Sequence, residues 1–129
     1  MNAYENNAFF WQKLDTLFLS SKLVIDRPKN TCHYKYSNLI YPVDYGYLCD
    51  TTGSDQSPID VFKGSLKSTL VKGLVISADI LKKDCEVKLL IGCNEEEEHD
   101  ILVFLNQTEF QKAVLIHRGN EVPEWGTND

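Results

Sequence analysis

The chain has no C-x-x-C pair, no zinc-ligand spacing, no apolar run long enough to cross a bilayer and no excess of basic residues. Each absence removes a class. The four cysteines, Cys32, Cys49, Cys85 and Cys93, are too scattered for a zinc site or a redox dithiol. They read as core or near-core thiols of a reducing compartment. The first residues are polar, with Glu5 among asparagines, so no signal peptide is expected and the protein is expected to be cytoplasmic. The Asn106-Gln107-Thr108 sequon then meets no glycosyltransferase. Without a long apolar run, no membrane span is expected. The net charge of −6 argues against a broad nucleic-acid or anionic-membrane surface. A small anionic ligand is still allowed, because local cations or a metal ion invert the field in one cleft.

What is present fits an ordinary globule. The 129 residues, 43% hydrophobic and 25% charged, are enough to bury a core without staples. No repeat or boundary breaks the chain, so residues 1–129 are expected to form a single domain. A helical extension is expected over 1–20 and a loose tail over 119–129, where Pro123 and Gly126 interrupt any period.

Phe10, Leu14, Leu17 and Phe18 recur at helical spacing after Asn7, a plausible N-cap. KLVIDR, residues 22–27, reads as a strand that stops at Pro28. Residues 32–41 are extended and aromatic. Two strands of one hairpin are expected over 70–81 and 86–93, turning at Lys82-Lys83-Asp84-Cys85. Leu74, Ile76, Ala78 and Ile80 alternate along the first strand, and Val87, Leu89, Ile91 and Cys93 along the second. Both sets belong on one face, so even positions must pair with odd ones. That register gathers Asp79, Glu86 and Lys88 on the other face. Glu95–Glu98 after Asn94 marks a helix start, with Ile101, Leu102 and Leu105 inward and an end near Lys112. Val114–His117 reads as a last short strand. Several short strands with a helix near each end point to a small β-barrel or α+β domain.

The segment YPVDYGYLCDTTGSDQSPIDVF, residues 41–62, is a poor helix and an interrupted strand. Asp55 and Asp60 stand five apart with Pro58 between them. Two acids about 4 Å apart repel by about 4 kcal/mol at an effective dielectric near 20. A hard cation such as Mg²⁺ offsets that, and Asp79, Asp84 or Glu86 from the hairpin would complete its ligands. The alternative is that these acids are solvated turn residues that never meet. Tyr45 and Tyr47 point to one side and serve packing or a phosphate. Lys22, Arg27, Lys35 and Lys88 are candidate phosphate cations, or ordinary surface charges.

YPVDYGY at 41–47, then LCDTTGS, then DQSPID at 55–60, resembles the signature of the family I soluble inorganic pyrophosphatases. That signature is Y-P-x-x-Y-G-Y followed by D-x-D-P-x-D. VIDRPKNTCHYKYSNLIYPVDYGYL, residues 24–48, is similar to a short, divergent branch of that family. The likeness covers roughly residues 21–93, more weakly to Arg118. It implies a mainly β, α+β protein: a small five-stranded OB-like β-barrel with an N-terminal and a C-terminal helix. It also implies Mg²⁺-dependent hydrolysis of pyrophosphate, or a related small phosphoanhydride, and assembly into a homo-oligomer. Asp55, Asp60 and Glu86 match metal ligands. Tyr45, Lys88 and Lys22 match phosphate-binding positions, Lys35 is a stand-in for a phosphate-binding arginine, and Asp60, Tyr45 and Lys88 would carry catalysis. Three departures stand out. Ser57 replaces the middle signature aspartate, His33 falls where an arginine is expected, and Lys112 is the one candidate for a C-terminal lysine. A Ser57 hydroxyl cannot accept a proton at neutral pH as a carboxylate does, and general-base catalysis contributes about 10²–10⁴ in rate. The runner-up is therefore a protein of this fold that binds metal, phosphate or a protein partner without turnover.

Overall fold

A computed structural model describes residues 8–119. In chain order these form α1 (Ala8–Leu19), β1 (Leu23–Arg27), β2 (Asp44–Leu48), β3 (Asp60–Lys63), β4 (Val71–Asp79), β5 (Asp84–Ile91), α2 (Glu95–Leu105) and β6 (Gln111–His117). Asn7 and residues 120–129 of the expected tail lie outside the described residues.

The six strands form one sheet in the order β1-β2-β3-β5-β4-β6. Neighbours run antiparallel except β3 and β5, which are parallel. The α+β class holds, with a helix at either end. Two features differ from the expected five-stranded barrel. Gln111–His117 adds a sixth strand, and among the described residues the sheet ends at β1 and β6 rather than closing.

The hairpin parity is as read: Leu74 faces Leu89 and Ile76 faces Val87 on one side, while Val75 faces Lys88 and Ser77 faces Glu86 on the other. The turn falls two residues earlier than expected, over residues 80–83. Asp79 explains this. Its Oδ1 accepts from the N–H groups of Leu81 and Lys82, both at 2.9 Å, and Lys83 takes a left-handed φ of 58°. Ile80 and Leu81 consequently stand exposed at the hairpin tip.

Both faces of the sheet are buried. One core holds Tyr41, Val43, Phe62, Val75 and Leu90 beneath Ile101, Phe104 and Leu105 of α2. The other holds Leu48, Val61, Leu74, Leu89 and Ile91 beneath Trp11 of α1. Helix α1 keeps half of the expected stripe: Leu14 and Phe18 pack on this core and Phe10 and Leu17 are exposed, while Trp11 and Asp15 are fully buried. An ion pair holds Asp15 inside. Asp15 Oδ2 accepts from Arg118 at 2.8 Å, and Asp15 Oδ1 accepts both from Arg118 and from the Val71 N–H at 3.0 Å. The guanidinium lies 5.8 Å from the Trp11 ring centroid, and its Nε is buried with no partner among the described residues.

The helix start expected at Glu95–Glu98 after Asn94 is as read, and a capping box between Asn94 and Glu97 closes it. Helix α2 stops at Leu105, seven residues before the expected end near Lys112, because Asn106 caps it. The Asn106 side chain donates to the Leu102 carbonyl. It also donates to the Ala113 carbonyl at 3.2 Å and accepts from the Ala113 N–H at 3.0 Å. No described helix is long and apolar enough to cross a membrane.

Candidate active site

The face of the sheet that carries the α2 core becomes polar beyond the helix. Tyr45 pairs with Phe62 and Tyr47 with Asp60 across β2 and β3, and Asp60 pairs with Lys88 across the parallel β3–β5 ladder. These residues therefore line up on one surface, with Glu86 two positions before Lys88 along β5. The Y-G-Y spacing has a packing cause. A Cβ on Gly46 would collide with the Val24 carbonyl of β1, so only glycine lets the strands approach here.

Asp55 arrives from the β2–β3 loop. Ser54 Oγ donates to the Cys85 carbonyl at 3.2 Å and hooks that loop onto β5. The tip closes on itself: Gly53 N–H donates to the Ser57 carbonyl, Gln56 adopts a φ of 65°, and Ser57 N–H donates to Asp55 Oδ1. As a result, oxygens of Asp55, Asp60 and Glu86 all lie within 4.8 Å of one another.

Lys88 sits at the centre and is only 7% exposed. Its Nζ donates to Tyr45 Oη at 3.0 Å, to Asp60 Oδ2 at 3.1 Å and to Glu86 Oε2. Burial works against the ammonium, but Tyr45, Asp60 and Glu86 outweigh it and hold Lys88 protonated well above the usual lysine range. Desolvation raises Tyr45, so its phenol stays un-ionised, and Lys88 donates to its oxygen. The retained phenolic proton serves a hydrogen bond to the Asp60 carboxylate, which adds to the upward shift. Burial also opposes the charge on Glu86, yet Lys88 keeps it below the ordinary carboxylate value. Asp84, beside it, is raised by desolvation and by the Glu86 carboxyl.

The other expected residues fall as follows. Lys35 is exposed and lines the same cavity as Tyr45, Glu86 and Lys88. Lys22 is exposed in a separate hollow with Cys49, Asp50 and Thr51, so the structure does not bring it to this cavity. Asp79 touches the cavity wall but is spent on the hairpin turn. Lys112 is exposed and its Nζ donates to the Asn106 carbonyl. Lys82 is a cavity residue that the sequence reading passed over, and the hairpin tip places it there.

All three clustered donors are carboxylate oxygens, with no nitrogen or sulfur among them. That set suits a hard cation. Mg²⁺ keeps several waters and takes only one or two carboxylates directly, which suits oxygens spaced this far apart. Each pair of these charges repels by at least about 3.5 kcal/mol at an effective dielectric near 20. One lysine cannot neutralise three acids.

No protein-family model matches the chain, and no curated protein matches it. Solved structures do. An inorganic pyrophosphatase from Helicobacter pylori superposes with a TM-score of 0.50 at 15% identity, over 75% of this chain and 82% of that one. The fold is that of the inorganic pyrophosphatases. Two more structures agree: an inorganic phosphatase from Anaplasma phagocytophilum and an inorganic pyrophosphatase from Coxiella burnetii. Both have a TM-score of 0.51 at 14% identity over 74% of this chain, and 81% and 82% of their own. In this chain the fold brings the loop carboxylates Asp55 and Asp60 to the hairpin carboxylate Glu86.

Proposed function

We propose that the protein holds a divalent cation, Mg²⁺, among Asp55, Asp60 and Glu86 and hydrolyses pyrophosphate or a related small phosphoanhydride. The observation that carries this reading is the convergence of those three oxygens within 4.8 Å beside Lys88 and Tyr45. Such an ion supplies positive charge for phosphate oxygens and makes water more acidic. Lys88 supplies a buried, permanently charged ammonium facing the same place. Its three donors are all committed, so binding a phosphate oxygen means releasing Tyr45, Asp60 or Glu86. Tyr45, bonded to Asp60 and Lys88, likewise turns its proton to a phosphate oxygen only by leaving Asp60. Lys35 adds charge at the rim.

The reading without turnover also has an observation behind it. Ser57 stands at the signature's base position, and its backbone serves to shape the loop around Asp55. Phosphate release from pyrophosphate with Mg²⁺, on the wild type and Asp60→Asn, decides between them. Turnover lost in Asp60→Asn is the expected result. Mg²⁺-dependent pyrophosphate binding without turnover would leave the silent binder. Neither turnover nor binding would overturn the site.

A further inference from the structure

Glu86 and Lys88 close one end of a cavity of about 210 Å³, and its remaining walls are not what a bare inorganic anion requires. Six rings, His33, Tyr34, Tyr36, Tyr41, Phe104 and Phe110, line it, with Lys35, Asp79, Lys82, Thr108 and Gln111 among them. The rings are arranged in a stack. His33 lies 4.9 Å from Tyr34 with 20° between planes, and 6.2 Å from Tyr41 with 13°. Tyr36 continues the wall to Phe110. Tyr34 stays 68% exposed although one side of its ring rests on His33. An exposed aromatic in a stacked array is a platform more than a core residue.

Charge surrounds the platform. In a protein of net charge −6, Lys35 and Lys82 line this cavity, and Arg27 stands 6.0 Å from the Tyr34 ring centroid. Burial first, then Lys82, Arg27 and Lys35, push the His33 imidazole below its ordinary value, so it stacks as a neutral ring. Flat apolar faces bordered by cations fit a ligand with a planar ring at one end and phosphates at the other.

We propose that the cavity takes the base of a nucleoside diphosphate against the His33–Tyr34 wall, with the diphosphate at the Glu86–Lys88 end. This deepens the phosphoanhydride reading and rests on it for the chemistry. Pyrophosphate has no ring to stack and gains nothing from such a wall. The volume falls below the roughly 300–1,000 Å³ of sites that enclose whole organic ligands, so it accommodates one ring system while the ribose bridges outside. In hydrolysis, the water oxygen bonds the terminal phosphorus as the bridging P–O bond breaks. The products are the nucleoside monophosphate, inorganic phosphate and a proton released to solvent.

The test titrates the full chain with ADP and with pyrophosphate in Mg²⁺ by calorimetry, and follows phosphate release from pyrophosphate separately. ADP is expected to bind more tightly than pyrophosphate. Tyr34→Ala should weaken ADP roughly 5- to 150-fold, the range of one base–aromatic stack, and weaken it more than pyrophosphate. Tyr34→Phe should retain ADP. ADP that binds no better than pyrophosphate overturns the proposal, as does a Tyr34→Ala that leaves ADP unchanged or weakens both ligands alike. The hydrolase reading fails separately: ADP binding that depends on Tyr34 without any turnover of pyrophosphate counts against catalysis and leaves the base site standing.

Discussion

Replacing Asp15 by alanine is expected to lower the melting temperature by about 11–18 °C. Asp15 is fully buried and the Arg118 side chain is 5% exposed, so neither charge is solvated in the folded protein. Removing one partner of a buried ion pair costs about 3–5 kcal/mol, because the other charge is stranded. For 129 residues, an unfolding entropy near 2.1 cal/mol/K per residue gives about 0.27 kcal/mol/K, which converts that loss into the stated shift. The double variant Asp15→Leu with Arg118→Met removes both charges. It still orphans the Val71 N–H, which costs about 1–3 kcal/mol, or about 4–11 °C. Thermal unfolding followed by circular dichroism reads both. The reasoning is refuted if Asp15→Ala melts within 3 °C of wild type, or if the double variant is less stable than the single.

Three further outcomes follow from the site and its supports. Burial and the nearby Glu97 and Glu98 push the Cys93 thiol up to about 12, so at pH 8 it should react with a thiol reagent far more slowly than exposed Cys32 and Cys85; labelling read by peptide mass tests this. Desolvation opposes the charge on Glu97, but the N–H groups of Asn94 and Ser65 outweigh it and hold the carboxyl below 4.5. A depressed folded value stabilises above the unfolded one and is lost as pH falls through the folded one, so wild type should lose stability below about pH 4.5 and Glu97→Gln should flatten that limb in urea melts at successive pH values. Ser57→Asp should raise the phosphate-release rate by about 10²–10⁴ if the missing base limits turnover; an unchanged rate in a folded variant would assign the limit to the missing cations.

Much of the site was legible because its determinants are local. Strand alternation alone placed Glu86 and Lys88 on one face, since a period of two allows no other arrangement once Leu74 and Leu89 share a side. The start of α2 was readable from Asn94 and the acidic run Glu95–Glu98 after it. What stayed hidden depends on long-range partners. The burial of Asp15 rests on Arg118, 103 positions away, and nothing near it in the chain announces that pairing. The hook from Ser54 to the Cys85 carbonyl spans 31 residues and decides where Asp55 ends up, and no local pattern announces it. Helix α2 ends at Leu105 rather than near Lys112 because the Asn106 cap and the pairing of residues 111–117 with β4 both depend on contacts that the local pattern does not show. Lys22 carried a plausible charge at a plausible place in the chain, but the strand it precedes starts at the far hollow and runs away from it.

In an antiparallel ladder each residue directs its backbone groups to one side, and those of Ala113 point away from β4, where the Asn106 amide meets both. Asn106 thus behaves as a one-residue counterfeit strand that occupies the open margin of β6 midway along its length. A second chain trying to zip onto that margin would have to evict it first, so a single carboxamide guards the molecule against fibre growth through its last strand.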